Sequence, residues 1–115
     1  VNIQPYYVYA CDMVKSIEHF RVPVQEIQYL EREIRGATAG FNTPLFVVDA
    51  PGGGGKRDVH SFEYQNEEYG IIGYRSPCID PLKTYYYFDP LRSLTADIQK
   101  EWLKPGGHEA ILAEL

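Results

Sequence analysis

Three charged residues and one glycine run carry the chemistry that this sequence can offer. Asp12 closes the run Pro5-Tyr6-Tyr7-Val8-Tyr9-Ala10-Cys11-Asp12, and Asp49 closes Pro44-Leu45-Phe46-Val47-Val48-Asp49. Lys56 follows the second run across Gly52, Gly53, Gly54 and Gly55. Two carboxylates sharing one site repel each other unless a cation sits between them, so the pair suits a substrate ammonium. A glycine run lets backbone N–H groups approach an anion with no Cβ in the way, and a lysine beside it can form a Schiff base with a carbonyl cofactor. Each feature also has a plain structural use. A strand-end aspartate often caps a helix or pairs with a base, and a glycine run can be a flexible connection.

The elements around these residues decide whether they meet. The aromatic and β-branched residues from Pro5 to Asp12 predict a buried strand of the kind found in parallel sheets. A turn or short helix is expected over Ser16–Phe20. From Val24, apolar residues at Val24, Ile27, Leu30 and Ile34 follow helical spacing, with Glu26, Glu31, Arg32, Glu33 and Arg35 on the other faces. Pro23 suits a helix start and Gly36 a C-terminal cap. A loop over Gly40–Thr43 leads to the second strand, Pro44–Asp49. Strand, helix, strand in this order predicts a βαβ unit, which puts both aspartates on the carboxyl rim where α/β sheets gather ligands. Ala50 to Lys56 reads as a loop without regular structure. Val59–Tyr64 and Ile71–Tyr74 read as a hairpin about the polar turn Gln65–Gly70. Thr84–Phe88 reads as a further strand or an extended arm. Leu94–Leu103, with Ile98 and Trp102 inward, and Glu109–Leu115 read as helices. The fold class is α/β in one domain of 115 residues.

Composition removes several classes of function. Eleven basic against 16 acidic residues leave a net charge of −5, which argues against a phosphate-backbone binder. No apolar run nears the roughly 18 residues needed to cross a bilayer. The two cysteines, Cys11 and Cys78, cannot build a four-thiolate metal centre, and they suit a reducing cytoplasm. His19, His60 and His108 show no metal-ligand spacing, so no metal site is expected. A nucleotide P-loop ending at Gly55-Lys56 would need glycine at Ala50 and Ser or Thr at Arg57. The first residue is Val1 and the only methionine is Met13, which points to a fragment or processed product.

Three blocks, Pro5 to Val14, Glu18-His19-Phe20-Arg21-Val22-Pro23-Val24 and Leu45 to Lys56, closely resemble the C-terminal part of the lysine 2,3-aminomutase family. The string Asp49-Ala50-Pro51-Gly52-Gly53-Gly54-Gly55-Lys56 is the most specific of them. The resemblance is dense over about the first 60 residues and loose thereafter. It implies a radical S-adenosylmethionine enzyme that moves the α-amino group of L-lysine to the β-carbon on pyridoxal phosphate. By the same resemblance, Lys56 attaches pyridoxal phosphate at the glycine run Gly52–Gly55, while Asp12 and Asp49 hold the substrate's side-chain ammonium. Their 37-residue separation matches the family.

Residues 1–60 would then be the end of an incomplete (β/α) barrel with the cofactor loop, and residues 61–115 a hairpin and helical C-terminal region. The CxxxCxxC motif for the [4Fe–4S] cluster and the family's cysteine-rich zinc site are missing from these residues. The resemblance therefore implies a chain that is inactive without an N-terminal part, and a homo-oligomer. An aminomutase for arginine, or a stand-alone interaction module derived from such an enzyme, fits the same residues. The ten tyrosines suit partner surfaces as well as a core.

Overall fold

The computed structural model describes residues 6–37 and 43–114. Among the described residues, two three-stranded sheets and three α-helices make up an α/β fold. The first sheet holds β1 (Tyr7–Tyr9), β2 (Leu45–Ala50) and β3 (Gly55–Asp58) in the order β1-β2-β3. A 3₁₀ turn over Lys15–Phe20 and α1 (Val24–Ala37) cross from β1 to β2, which run parallel with Tyr7 opposite Leu45 and Tyr9 opposite Val47. The βαβ unit is as the sequence pattern predicts. Its first strand is short, and the beginning of the Pro5–Asp12 segment and most of the Gly40–Thr43 loop lie outside the described residues.

The glycine segment departs from the expected irregular loop. Gly55 and Lys56 begin β3, which pairs antiparallel with β2 so that Asp49 faces Lys56 and Ala50 faces Gly55. The hairpin closes because Gly52 and Gly53 take φ of 86° and 93°, and Gly54 donates its N–H to the Ala50 carbonyl at 3.1 Å. Gly54 is needed for a separate reason. A Cβ there would lie 2.6 Å from the Ala50 Cβ and 2.7 Å from the Tyr85 ring.

The second sheet is an antiparallel meander of β4 (Phe62–Asn66), β5 (Ile71–Ser76) and β6 (Asp80–Phe88). Its first hairpin is the predicted one, shifted so that β4 begins at Phe62 and the turn narrows to residues 67–70. The Thr84–Phe88 segment is strand, extended back to Asp80. Another 3₁₀ turn, Leu91–Ser93, leads to α2 (Ala96–Leu103) and α3 (Gly107–Ala113). Thr95 caps α2 by accepting from the Ile98 N–H.

One core joins the two sheets. Phe46, Val48 and Ala50 on one face of β2 pack with Val24 and Ile27 of α1 and with Tyr74, Tyr85 and Tyr87 of the second sheet. Two of the Thr84–Phe88 tyrosines are thus core. Tyr74 donates its hydroxyl to the Val59 carbonyl at 3.2 Å, and Tyr87 donates to the Cys11 carbonyl at 2.6 Å. Burial pushes the hydroxyl pKa of both tyrosines up.

The face that α1 buries is turned from the expected one. Val24 and Ile27 are buried, but Leu30 is 49% exposed and Glu31 only 3%. Polar bonds hold that rotation: Gln28 donates to the Val59 carbonyl at 3.0 Å, and Glu31 meets Arg35 at 2.7 Å and His60 at 3.3 Å. Gly36 lies inside the helix, which runs on to Ala37, so it is not the cap.

Candidate functional site

Residues paired across a ladder share a face of the sheet, so the registers of β1, β2 and β3 sort the first sheet into two sides. Phe46, Val48 and Ala50 turn to the core. The other side presents Tyr7, Tyr9, Val47, Asp49, Lys56 and Asp58. The candidate residues are therefore placed by the alternation of β2 itself: its odd positions face the site and its even positions anchor the strand.

Asp12 and Asp49 line one cavity. Asp12 follows β1 and Asp49 is the penultimate residue of the parallel β2, and together with Met13, Val14, Ala50 and Pro51 they line a cavity of about 310 Å³. Asp12 is exposed and Asp49 half-buried.

Lys56 does not line that cavity. It is exposed and leans back over β1, with Nζ 5.4 Å from the Tyr7 ring centroid and 5.7 Å from that of Tyr9. Hydrogen bonding with the Tyr9 side chain is the largest influence on its ammonium. The charges of Tyr9, Tyr7 and Asp49 add to it, and together they push the pKa above its ordinary value against a smaller desolvation effect. The flanking tyrosines were not singled out by sequence reasoning. Their signal was the alternation Tyr7, Tyr9 on a strand whose neighbour ends in the aspartate.

Of the four glycines, Gly54 is buried with its N–H already bonded to Ala50, and its carbonyl accepts from the Ser76 hydroxyl. Gly52 and Gly53 are exposed at the tip of the hairpin. Cys11 is half-buried with Sγ 3.9 Å from the Phe20 carbonyl, and Cys78 is exposed. Among the described residues, no group of three or more His, Cys, Asp or Glu side chains could hold a metal ion, and no helix is long and apolar enough to cross a membrane.

A family model described as lysine-2,3-aminomutase matches residues 31–64, the segment that contains Asp49, the glycine hairpin and Lys56. The L-lysine 2,3-aminomutase of Bacillus subtilis is 50% identical over 125 aligned positions that take in 99% of this chain. The chain belongs to the lysine 2,3-aminomutase family. It corresponds to the C-terminal portion of that family.

The L-lysine 2,3-aminomutase of Acetoanaerobium sticklandii is 51% identical over 59 residues, 51% of this chain. The family also reaches the glutamate 2,3-aminomutase of Clostridioides difficile, 36% identical over 56 residues, 49% of this chain and 13% of that protein. The chain spans 26% of the Bacillus relative and 14% of the Acetoanaerobium one. The 99% coverage extends the likeness well beyond the first 60 residues in which the motifs are dense.

Proposed function

We propose that this chain is the C-terminal part of a lysine 2,3-aminomutase-like isomerase. In this reading Lys56 attaches pyridoxal phosphate, and Asp12 and Asp49 hold the side-chain ammonium of L-lysine. The observation that carries the reading is that two strand-end carboxylates line one cavity while Lys56 stands directly opposite one of them. The residues fit the cofactor: an exposed primary amine lies over two aromatic rings on the open face of a sheet. When bound, pyridoxal phosphate supplies the conjugated ring on which an amino group can migrate between neighbouring carbons.

The chain's own residues bind and orient. Asp12 and Asp49 together place two negative charges where a cationic side chain ends, and a substrate carboxylate in the same place would meet repulsion. This favours lysine over glutamate, although both substrates occur in the names of relatives. Lys56 must lose its proton before its amine can attack a carbonyl, and Tyr9, Tyr7 and Asp49 control how tightly that proton is held. The glycine hairpin fixes the position of Lys56 relative to Asp49 while leaving Gly52 and Gly53 open at its tip.

The two cysteines do not fit a [4Fe–4S] cluster, so the cluster and S-adenosylmethionine belong to an N-terminal part of the full-length enzyme, without which this chain is inactive. The β1-α1-β2 unit would then be the last part of an incomplete (β/α) barrel within one C-terminal domain. The side of β1 away from β2 has no strand paired with it among the described residues, which suits a barrel neighbour or a homo-oligomeric contact. The two free thiols suit a cytoplasmic location.

Borohydride reduction of the full-length enzyme loaded with pyridoxal phosphate, followed by peptide mass mapping, tests the assignment. The label is expected on Lys56 and is lost in Lys56→Ala; undiminished labelling in that variant would sink it.

A further inference from the structure

Phe88 ends β6, Trp102 lies on α2 and His108 on α3, and the three rings come together far from Lys56 in sequence. Their centroids are 5.7 Å apart for Phe88 and Trp102, 5.9 Å for Phe88 and His108, and 5.5 Å for Trp102 and His108. The planes cross at 76°, 69° and 84°. Three nearly perpendicular rings so spaced form one aromatic cluster, and a cation within about 6 Å of a ring face is attracted to it.

Edge-on ring contacts are common in cores, but this trio is not sealed in one. All three rings line a cavity of about 270 Å³ together with Glu18, Arg21, Tyr69 and Asp89. His108 is exposed, and the Glu18 side chain is 46% exposed. The Trp102 ring is held in place by its N–H, which donates to the Tyr69 carbonyl at 3.1 Å.

The charge of the lining selects the sign of the ligand. Two carboxylates stand against one guanidinium. Arg21 is already committed: Nη1 lies 3.0 Å from both Glu18 carboxylate oxygens, Nη2 donates to the Phe88 carbonyl, and the guanidinium stacks 5.2 Å from the Tyr87 centroid. With Glu18 and Arg21 paired, Asp89 leaves the lining with a net negative charge, which favours a cation over an anion beside the aromatic rings.

We propose that the cavity between β6, α2 and α3 binds an alkylammonium group, with Phe88, Trp102 and His108 as its aromatic walls and Glu18 and Asp89 as its counter-charges. The site is separate from the Asp12–Asp49 cavity and shares no lining residue with it. It goes beyond the proposed aminomutase chemistry and needs neither cofactor nor turnover to be observed.

The only tryptophan of the chain is one of the walls, so its fluorescence reports the site directly. The chain is titrated with tetramethylammonium chloride and, separately, with L-lysine, against sodium chloride at matched ionic strength. A saturable change of Trp102 emission with either ammonium compound, absent with sodium chloride, is the expected result. Tighter binding of L-lysine would give the carboxylates the larger share, and tighter binding of tetramethylammonium would give it to the rings.

His108→Ala and Phe88→Leu are each expected to weaken binding about fivefold or more. A response that follows sodium chloride for both compounds, or an affinity untouched in His108→Ala, would overturn the proposal. Because His108 is exposed, that variant keeps the test valid even where Phe88→Leu perturbs folding.

Discussion

Asp49 and Lys56 stand directly opposite each other on β2 and β3, and the turn that joins the two strands consists of Pro51 and three glycines. The backbone positions of the two residues are thus fixed by register, and the Lys56 side chain carries its ammonium from there over the rings of β1. Whatever changes the charge at position 49 is felt at position 56, and the Tyr9 side chain acts on the same ammonium from β1.

The state of Lys56 should therefore answer to its neighbours. Tyr9→Phe removes the largest influence holding the proton, and Asp49→Asn a smaller one. Both variants are expected to shift the labelling of Lys56 by an amine-selective reagent to lower pH, Tyr9→Phe by more. The labelling rate of the Lys56 peptide, followed by mass spectrometry across pH, checks this. Profiles that superimpose on the unaltered chain would contradict the geometry.

Substrate charge should follow the paired carboxylates. In the full-length enzyme, Asp12→Asn and Asp49→Asn are each expected to raise the KM for L-lysine at least about tenfold, the loss of a charge-assisted contact of roughly 1.5–3 kcal/mol. Steady-state kinetics with lysine and glutamate decides. An enzyme that turned over glutamate faster than lysine would reverse the assignment of the site.

Two glycine-to-alanine changes should move stability in opposite directions. At Gly54 a methyl group collides with Ala50 and Tyr85, both buried, and the expected loss is about 1–3 kcal/mol. At Gly36, within α1, nothing lies within 4 Å of the new methyl, and alanine should gain about 0.5–1 kcal/mol. Urea unfolding of the two variants measures both.

Asp89 gives the pH dependence a direction. Burial pushes its carboxyl up to about 6, although its Oδ1 accepts from the Val24 N–H at 2.9 Å and Arg21 lies nearby. A carboxyl whose pKa is raised in the fold holds its proton more tightly there than in the unfolded chain. Its contribution to stability is therefore greatest below the unfolded value near 4 and declines as pH rises to about 6. Asp89→Asn should flatten that part of the curve by roughly 2–3 kcal/mol relative to the unaltered chain. Parallel stability profiles over this range would refute the role of Asp89.

Much of this site was legible because one residue pattern served two purposes. The alternation of β2 that makes Phe46, Val48 and Ala50 core also turns Val47 and Asp49 the other way, so reading the strand located the aspartate. The glycine segment was less legible, since glycines weaken strand propensity and nothing local signals that Gly55 and Lys56 pair with β2. The face of α1 was misread at Leu30 and Glu31 because apolar spacing is blind to polar pairing. Gln28 finds the Val59 carbonyl, and Glu31 finds Arg35 and His60, which lie beyond the helix's own pattern or on its far turn. The trio of Phe88, Trp102 and His108 comes from three elements, and only the fold brings it together.

The bond from Val24 to Asp89 also says something about how the molecule is made. The N–H of the first residue of α1 waits for a carboxylate 65 positions later in the chain, and the Arg21 just before the helix waits for the Phe88 carbonyl. During synthesis at about 5–20 residues per second, the helix would leave the ribosome roughly 3–13 seconds before its cap exists. Through that interval water, and not Asp89, meets the Val24 N–H, and the apolar stripe of α1 is unmatched by Tyr87. A stop codon before Asp89 would therefore release a βαβ half without its latch.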